Sequence, residues 1–375
     1  MNVKKTTAVV WAITNQCNMQ CRHCYVSPGK YADLSAEGCM DIIAQMREAG
    51  ITSVVLTGGE PLSREDFWDI VDALLSSGIE IAQLKTNGLL AGASFMEACR
   101  SRNINPLLGV SFDGVGWHDW LRRVQGAEER TLQTIGRLLS GGFRVTAQTT
   151  LHRFNIDSLY GTMNRLVELG VRKWMTGAAL DIGNWSAQGS GSKLSVSELC
   201  EAYLRFIPLY VEAGFPMDVS LAGFFIGNKK TRAYDAVPVY NSHIGMAEGE
   251  TALSQPLCHC ARSMPYIHSD GTLWTCAALL ELGTAFTPPD LTKQRLREAL
   301  HDPEFTKLAD LCVKDLFDHN PSCNACVHKL DCKGGCRAAA LSAGGGFWGA
   351  DEVICHMFKK GYRERIDQAV NNVLS

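Results

Sequence analysis

The chain has 375 residues, of which 46% are hydrophobic and 20% are charged, and its formal net charge is -3. This length and composition support one large domain with a buried core and a smaller second domain. The charge gives no indication of a nucleic-acid partner, and no apolar run approaches the roughly 18 residues of a membrane helix. Because the first residues also lack the pattern of a signal peptide, we expect a cytoplasmic protein that does not bind membranes.

Cysteine content is the unusual feature of the composition, because the chain contains 15 cysteines, an odd number. Without a signal peptide, and with the cysteines in tight groups, a secreted disulfide scaffold is a poor interpretation. Eleven of the 15 fall into spaced groups that are typical of metal ligands in a reducing compartment. The other four stand alone and are expected to be small buried apolar residues: Cys39, Cys99, Cys200 and Cys312.

Strand-like and helix-like segments alternate through the first half of the chain. Short apolar runs predict six strands, at residues 9–13, 53–56, 79–84, 107–112, 143–151 and 171–175. The helical spacing of apolar residues and the end signals predict helices at residues 35–50, 64–77, 95–100, 128–139, 156–169 and 195–213. Six strand–helix units in a row imply an α/β fold with a parallel sheet and helices outside it.

The alternation stops after about residue 215, and the stretch 223–255 is predicted to be irregular. Cysteines then dominate, and residues 359–374 are predicted to form a closing helix. We therefore divide the chain into three parts: residues 1–225 with the strand–helix units, a bridging segment at 226–255, and a cysteine-rich, loop-rich domain at 256–375.

The first cysteine group is Cys17-Asn-Met-Gln-Cys21-Arg-His-Cys24, on the loop after the first strand. Three thiolates within eight residues can hold three irons of a cubane cluster and leave the fourth iron open to a substrate. The alternative is a zinc site that His23 completes. Glycine and polar residues follow the later strands, at the edge where parallel α/β folds build their sites: Gly58, Asn87, Asp113 and Thr150.

The spacing Cys-x3-Cys-x2-Cys resembles the signature of the radical S-adenosylmethionine (radical SAM) superfamily. The segment Thr57-Gly58-Gly59-Glu60-Pro61-Leu62 is similar to the second motif of that family, and two later segments resemble its next strand-end motifs: Thr86-Asn87-Gly88 and Ser111-Phe112-Asp113-Gly114. The resemblance covers about residues 9–215. It implies a partial (β/α)6 TIM-like barrel whose cluster binds SAM and cleaves it reductively to a 5′-deoxyadenosyl radical, which abstracts hydrogen from a substrate. Such chemistry needs an electron donor such as flavodoxin or ferredoxin.

The same resemblance implies which residues contact the cofactor. In the family the glycine turn, here Gly58-Gly59-Glu60, binds the ammonium group of SAM, and a glycine pair leaves its backbone exposed for this. His23 takes the position that packs near adenine. The other candidate contacts are equally consistent with polar residues of strand ends: Asn87, Ser111, Asp113, Gln148 and Thr150.

A second group of eight cysteines follows residue 255. Eight thiolates divide into two four-ligand sites, although a pair of zinc ribbons is an alternative. Their order resembles the SPASM extension of some radical SAM enzymes. This resemblance implies an inner auxiliary cluster on Cys258, Cys260, Cys276 and Cys336 and an outer one on Cys323, Cys326, Cys332 and Cys355, so three 4Fe–4S clusters are expected in all. Only one residue separates Cys258 from Cys260, which leaves open whether both bind iron.

The SPASM resemblance points first to a ribosomally made precursor peptide as the substrate. The expected product is a thioether or carbon–carbon crosslink, or a related oxidation. Residues 118–128 resemble a segment of the peptide maturases, although an amphipathic loop before a helix is the alternative. Because the cluster motif starts at residue 17, we expect a leader peptide to bind the barrel, the bridging segment or a separate leader-binding protein.

Other functions stay open on the sequence alone. A sulfatase-maturase-like activity is disfavoured, because Ala277 stands where those enzymes carry an aspartate base. A radical SAM oxidoreductase that acts on a porphyrin or another small molecule is not excluded. A non-catalytic multi-cluster electron carrier is disfavoured, since a carrier needs no cofactor-binding turn. The candidate bases for substrate oxidation are Asp113, Glu281 and His152.

Overall fold

The computed structural model describes residues 6–25, 31–189, 191–237, 249–282 and 286–375. Within these residues one sheet contains eleven strands, in the order β11-β10-β1-β2-β3-β4-β5-β6-β7-β8-β9. The strands are β1 Ala8–Ala12, β2 Ser53–Thr57, β3 Glu80–Thr86, β4 Leu107–Ser111, β5 Arg144–Leu151, β6 Lys173–Ala178, β7 Asp218–Leu221, β8 Phe225–Asn228, β9 Ala233–Ala236, β10 Tyr266–Ile267 and β11 Leu273–Trp274.

Neighbouring strands from β1 to β7 pair in parallel and in sequence order, which confirms the α/β fold class. Apolar residues at every second position, such as Val54 and Leu56 on β2 and Leu108 and Val110 on β4, pack in the core with the helices. This alternation follows because successive side chains of a strand point to opposite faces of the sheet. The other face and the strand ends are left to build a cavity.

Seventeen α-helices occur in the described part of the chain, and several begin at the predicted caps. The Ser35 hydroxyl accepts the Gly38 N–H at 3.2 Å before α1, and Ser195 forms a capping box with Glu198 before α7. The helices are α1 Ala36–Ala49, α2 Phe67–Ser76, α3 Ala93–Ser101, α4 His118–Arg122, α5 Ala127–Ser140, α6 Leu159–Glu168, α7 Val196–Glu212, α8 His259–Ser263, α9 Ala277–Glu281, α10 Leu296–Ala299, α11 Pro303–Ala309, α12 Val313–His319, α13 Pro321–Asn324, α14 Lys329–Cys332, α15 Arg337–Ser342, α16 Glu352–Lys359 and α17 Tyr362–Leu374. None of the helices in the described ranges is long and apolar enough to cross a bilayer.

The stretch 223–255 departs from its predicted irregularity. Strands β8 and β9 form an antiparallel extension of the sheet beside β7. Their short apolar sequences are hard to recognise, because strands of four residues show too little alternation. Residues 238–248 of this stretch lie outside the described residues.

The cysteine-rich C-terminal part shares the sheet of the N-terminal part. Strand β10 pairs in parallel with β1, through the register Val10 with Tyr266 and Trp11 with Ile267. Strand β11 then continues the sheet as an antiparallel neighbour of β10. The division at 1–225, 226–255 and 256–375 stays a prediction, and this pairing joins its first and third parts by backbone hydrogen bonds.

The last helix, α17, packs against α7 of the strand–helix region. The ring of Tyr362 is 1% exposed, and its hydroxyl donates to the Glu201 carboxylate at 2.5 Å. The Arg365 guanidinium donates two further hydrogen bonds to the same carboxylate, at 2.8 and 3.0 Å. This contact anchors the C-terminal end of the chain to the core.

Replacing Tyr362 tests that anchor. We expect Tyr362→Ala to lower the free energy of unfolding by about 3–5 kcal/mol, because it empties a buried aromatic site. Tyr362→Phe removes only the hydrogen bond to Glu201 and should cost about 1 kcal/mol. Urea unfolding followed by circular dichroism measures both. Leu374→Ala, which changes an exposed residue at the end of the same helix, serves as the neutral control; equal losses for all three variants would contradict the anchor.

Candidate functional site

A cavity of about 450 Å³ lies at the carboxyl ends of β1 to β6. This volume falls within the range of about 300–1,000 Å³ that is usual for small-molecule sites. Each of the six strands or the loop after it contributes to the wall, so the sheet curls around the cavity as a partial barrel does. The lining includes Cys17, Cys21, His23, Cys24, Tyr25, Gly58, Gly59, Lys85, Asn87, Ser111, Arg122, Gln148, Thr150 and Met175.

The cysteine loop is fixed at its start by hydrogen bonds. The Asp33 carboxylate accepts the Thr14 hydroxyl at 2.5 Å and the Asn15 N–H at 2.7 Å. The backbone turn after β2 adds two more bonds, from Gly59 N–H to the Thr14 carbonyl at 2.8 Å and from Glu60 N–H to the Gln16 carbonyl at 2.9 Å. The loop that carries the first three cysteines is therefore held against the glycine turn.

Gly58 and Gly59 are required by this close approach. A Cβ atom on Gly58 would lie 2.3 Å from the Thr14 carbonyl oxygen, and one on Gly59 would lie 2.3 Å from the Gln16 carbonyl oxygen. No side chain fits at such distances, because both neighbours are backbone atoms that cannot rotate away. Both glycines line the cavity, so their bare backbone forms a cradle at its edge.

Glu60 links the turn after β2 to the end of β3. Its side chain is fully buried, and it accepts hydrogen bonds from the Thr86 hydroxyl at 2.9 Å and from the N–H groups of Asn87 at 2.7 Å and Leu62 at 3.2 Å. Burial raises the pKa of this carboxyl to about 7, although these hydrogen bonds oppose the rise. Glu60 was predicted to contact the cofactor; the structure gives its carboxylate a bracing role between two strand ends.

The three cysteines and His23 fit an iron–sulfur cluster with bound SAM. Cys17, Cys21 and Cys24 all line the cavity from one loop. Burial and the neighbouring thiols raise the pKa of Cys17 to about 11, and iron would replace the thiol protons. The buried Nδ1 of His23 has no hydrogen-bond partner among the described residues, and burial lowers the pKa of this imidazole to about 3. A neutral ring at the cavity wall suits a flat purine, and the unmet nitrogen can accept or donate a hydrogen bond there.

Asp113 forms a buried ion pair with Arg122 that the sequence did not reveal. Its carboxylate accepts Arg122 Nε at 2.6 Å and the Thr150 N–H at 2.9 Å, and His118 Nδ1 lies 3.4 Å away. Burial favours the protonated form of Asp113, but the Arg122 charge and the His118 contact outweigh it and hold the pKa well below its usual range. Such a carboxylate is a poor base near neutral pH. Arg122 also reaches the Cys21 thiol, at 3.8 Å, so the pair braces the cysteine loop.

Other predicted cofactor contacts do line the cavity. Asn87, Ser111, Gln148 and Thr150 belong to its wall, at the ends of β3, β4 and β5. The Asn87 side-chain amide also donates to Oδ1 of the Asn18 side chain at 2.7 Å, which ties the end of β3 to the cysteine loop. Glu60 and Asp113 are absent from the described cavity wall.

The two remaining base candidates lie outside the described cavity wall. His152 is fully buried among aromatic rings, with Trp120 and Phe154 at centroid distances of 4.8 and 5.9 Å, and burial lowers its pKa to about 4. Glu281 ends α9, close to Tyr25. Burial, together with the charges of Cys24, Cys276 and Glu281, raises the pKa of the Tyr25 phenol to about 12. Tyr25 lines the cavity, whereas Glu281 does not belong to the described wall and affects the cavity only through its charge near Tyr25.

Four of the later cysteines come together beside the cavity. Burial raises the pKa of the Cys276 thiol to about 12, and the charges of Cys336 and Cys258 contribute to the rise. Burial also raises the pKa of the Cys260 thiol, and the charge of Cys336 adds to the rise. The pKa of the Cys258 thiol is raised by burial and by the charge of Cys260. Cys258 and Cys260 therefore both lie within electrostatic reach of this group, which we name the inner thiol group: Cys258, Cys260, Cys276 and Cys336.

The other four later cysteines form an outer thiol group: Cys323, Cys326, Cys332 and Cys355. Burial raises the pKa of the Cys332 thiol to about 11, with contributions from Cys323, Cys326 and Cys355. Asp351 connects the two groups, because its carboxylate accepts the Cys336 N–H at 2.7 Å and caps α16, which carries Cys355. The assignment of these two groups to two auxiliary clusters, which the SPASM resemblance implies, stays a prediction.

The described side chains offer no compact site for a single metal ion. No three His, Cys, Asp or Glu side chains in the described ranges are grouped closely enough to hold one. A 4Fe–4S core needs its thiolates further apart, since the iron–sulfur cube lies between them.

Lys85 and Tyr25 are cavity residues that the sequence analysis missed. Withdrawal from water lowers the pKa of Lys85. The charges of the Cys276 and Cys260 thiols, in the inner thiol group, oppose this fall. The available signal was a charged residue inside a strand, directly before Thr86-Asn87-Gly88. Tyr25 directly follows the third cysteine, but sequence position alone does not reveal that its ring faces the cavity.

Comparison with protein families agrees with this geometry. The radical SAM superfamily matches residues 11–166, which include the cysteine loop, the glycine turn and strands up to β5. Two curated relatives extend over most of the chain. The AdoMet-dependent heme synthase of Methanosarcina barkeri is 24% identical over 349 residues, with 90% of this chain and 93% of the relative covered. The PqqA peptide cyclase of Ruegeria pomeroyi is 23% identical over 353 residues, with 92% of this chain and 86% of the relative covered.

The fold also matches a solved structure. The crystal structure of Streptococcus suis SuiB bound to precursor peptide SuiA superposes with a TM-score of 0.70 at 15% identity, over 93% of this chain and 76% of SuiB. The membership of residues 11–166 implies SAM and a 4Fe–4S cluster as cofactors. The chain therefore carries a radical SAM domain, and it is a radical SAM enzyme of the oxidoreductase kind.

Proposed function

We propose that this radical SAM enzyme oxidises a ribosomally made precursor peptide and carries two auxiliary 4Fe–4S clusters on a SPASM domain. The observation that carries the proposal is the position of the inner thiol group beside the cavity that holds Cys17, Cys21 and Cys24. Peptide oxidation is supported by similarity to the PqqA peptide cyclase along the whole chain and by the fold of SuiB with its peptide. The product is a crosslink, thioether or carbon–carbon, or a related oxidation.

Different residues of the cavity and its surroundings would hold the cluster, bind the cofactor and position the cysteine loop. SAM on a cluster held by Cys17, Cys21 and Cys24 supplies the hydrogen-abstracting radical, and auxiliary clusters supply an acceptor for the second electron of the oxidation. The Gly58-Gly59 cradle and His23 hold the cofactor, while Asn87, Ser111, Gln148 and Thr150 surround it from the strand ends. Glu60 and the pair Asp113–Arg122 keep the cysteine loop in position.

A porphyrin is the second candidate substrate. The AdoMet-dependent heme synthase covers 90% of this chain at an identity similar to that of the peptide cyclase. Both candidates require the same radical chemistry and differ in what the cavity admits. The electron-carrier function is disfavoured, since a carrier has no use for the glycine cradle.

The first prediction concerns the cysteine loop. Replacing Cys17, Cys21 and Cys24 together by Ala should abolish formation of 5′-deoxyadenosine under dithionite and SAM, and should remove about four of the expected 12 or so iron atoms per chain. Cys99→Ala, at a lone buried cysteine of α3, is the matched control and should keep both. A content of about four iron atoms per chain together with stoichiometric zinc, measured in the unaltered enzyme, would contradict the three-cluster proposal.

The second prediction concerns the later thiols. Cys276→Ala in the inner group or Cys323→Ala in the outer group should retain part of the SAM cleavage but lose the oxidised product, because the second electron loses its acceptor. Both 5′-deoxyadenosine and product are quantified by liquid chromatography with mass detection. Full product turnover in either variant would refute the acceptor role.

The third prediction separates the substrates. Reduced holoenzyme is incubated with SAM and either short peptides encoded beside its gene or iron coproporphyrin III. We expect one peptide to lose the mass of two hydrogen atoms in step with 5′-deoxyadenosine formation, as an oxidative crosslink requires. Conversion of the porphyrin, with every peptide unchanged, would replace the peptide assignment by the second candidate.

A further inference from the structure

Lys85 is a charged residue of the cavity wall to which the radical chemistry assigns no role. It lies on β3 in register with Gly109 of β4. Gly109 has no side chain, and a Cβ there would meet the amide nitrogens of Gln83 at 2.9 Å and Gln148 at 3.3 Å. Gln83, Lys85, Gly109 and Gln148 thus form one polar layer on the inner face of the sheet, in which the two glutamine side chains cover the glycine.

In the part of the chain that the structure describes, the cavity wall offers this ammonium group no carboxylate, and the charges that act on it are those of the Cys276 and Cys260 thiols. Among the described residues, the only other Lys or Arg in its wall is Arg122, and the Arg122 guanidinium is already paired with Asp113 at 2.6 Å. The described wall contains no Asp or Glu. No carboxylate of the described chain lies within ion-pair distance of Lys85 Nζ. Withdrawal of this charge from water is costly, and the described wall brings no carboxylate to it, so the wall can accept an anionic group that enters from outside.

Lys85 lies in the same cavity wall as the first three cysteines. The cavity is lined by Lys85 together with Cys17, Cys21 and Cys24. The thiols of Cys276 and Cys260, in the inner thiol group, act on its charge. A substrate that enters this cavity therefore meets the lysine.

We propose that Lys85 is a specificity-determining residue that binds a carboxylate of the substrate and so fixes the position of the hydrogen to be abstracted. The proposal rests on the proposed function, because it assigns the substrate of that same site. An ammonium–carboxylate pair in a cavity shielded from water is strong and directional enough to orient a substrate. The carboxylate can belong to an acidic residue of a peptide or to a propionate of a porphyrin, and the experiment distinguishes these two sources.

The test measures binding to the holoenzyme with SAM present, by anaerobic equilibrium dialysis. One pair of probes is acetyl-Gly-Glu-Gly-amide and its Gln counterpart; the other is iron coproporphyrin III and its tetramethyl ester. We expect the unaltered enzyme to bind the acid of one pair at least about tenfold more tightly than its neutral counterpart. Lys85→Met should remove that preference, and Lys85→Arg should keep most of it. Lys173→Met, at an exposed strand lysine of β6, is the matched control and should leave it unchanged.

Each outcome decides the proposal. A preference for the acidic peptide identifies a peptide carboxylate, and a preference for the free porphyrin acid identifies a propionate. Equal binding of acid and neutral probes by the unaltered enzyme overturns the proposal, as does a preference that survives in Lys85→Met. Loss of iron or of SAM binding in Lys85→Met also overturns it, because the lysine then serves the cofactors. Formation of 5′-deoxyadenosine by the unaltered enzyme is measured separately, so failure of the radical function is recognised independently of carboxylate binding.

Discussion

Two backbone segments meet at Gly58 and Gly59 so closely that a single Cβ atom would collide with a carbonyl oxygen at 2.3 Å. This contact holds the cysteine loop against the turn after β2. The carboxylate of Glu60 extends the contact to β3 through Thr86 and Asn87. An unpaired buried carboxylate is costly, so these hydrogen bonds are needed to keep it there. These contacts therefore hold the first three strand ends together. They also fix the position of the loop that carries Cys17, Cys21 and Cys24.

Strand β1, which leads into the cysteine loop, also positions the second half of the chain. Strand β10 pairs with β1, and His268, just after β10, lies 3.2 Å from the side-chain oxygen of Asn15 in the cysteine loop. The loop thus contacts the glycine turn on one side and the C-terminal part on the other. This shared sheet brings the inner thiol group, Tyr25 and Lys85 to one cavity. A second domain attached only by a linker would leave those distances unfixed.

Local sequence signals predicted the strand ends well, and long-range partners poorly. The spacing of the cysteines and the glycine turn identified the cavity edge, because each motif lies within a few residues of its strand. Asp113 was recognised as a strand-end residue, but its ion pair with Arg122 depends on the short helix α4, which sequence periodicity did not predict. Strands β8 and β9 escaped prediction because four residues carry too little pattern. Burial against other elements, which decides whether Glu60 or His152 faces a cavity, is likewise a property of the folded chain.

The scaffold and the substrate choice depend on different residues. A heme synthase and a peptide cyclase both share about a quarter of their residues with this chain along nearly its whole length, so the fold alone does not select the substrate. The glycines of the turn after β2 are fixed by their close approach to the cysteine loop, where no side chain fits. Lys85 and Gln148 line the cavity from the inner face of the strands, where a side chain meets what enters the cavity. On our proposal, selection between substrates therefore acts on this inner face, where the Lys85 ammonium group discriminates between an acid and its neutral analogue.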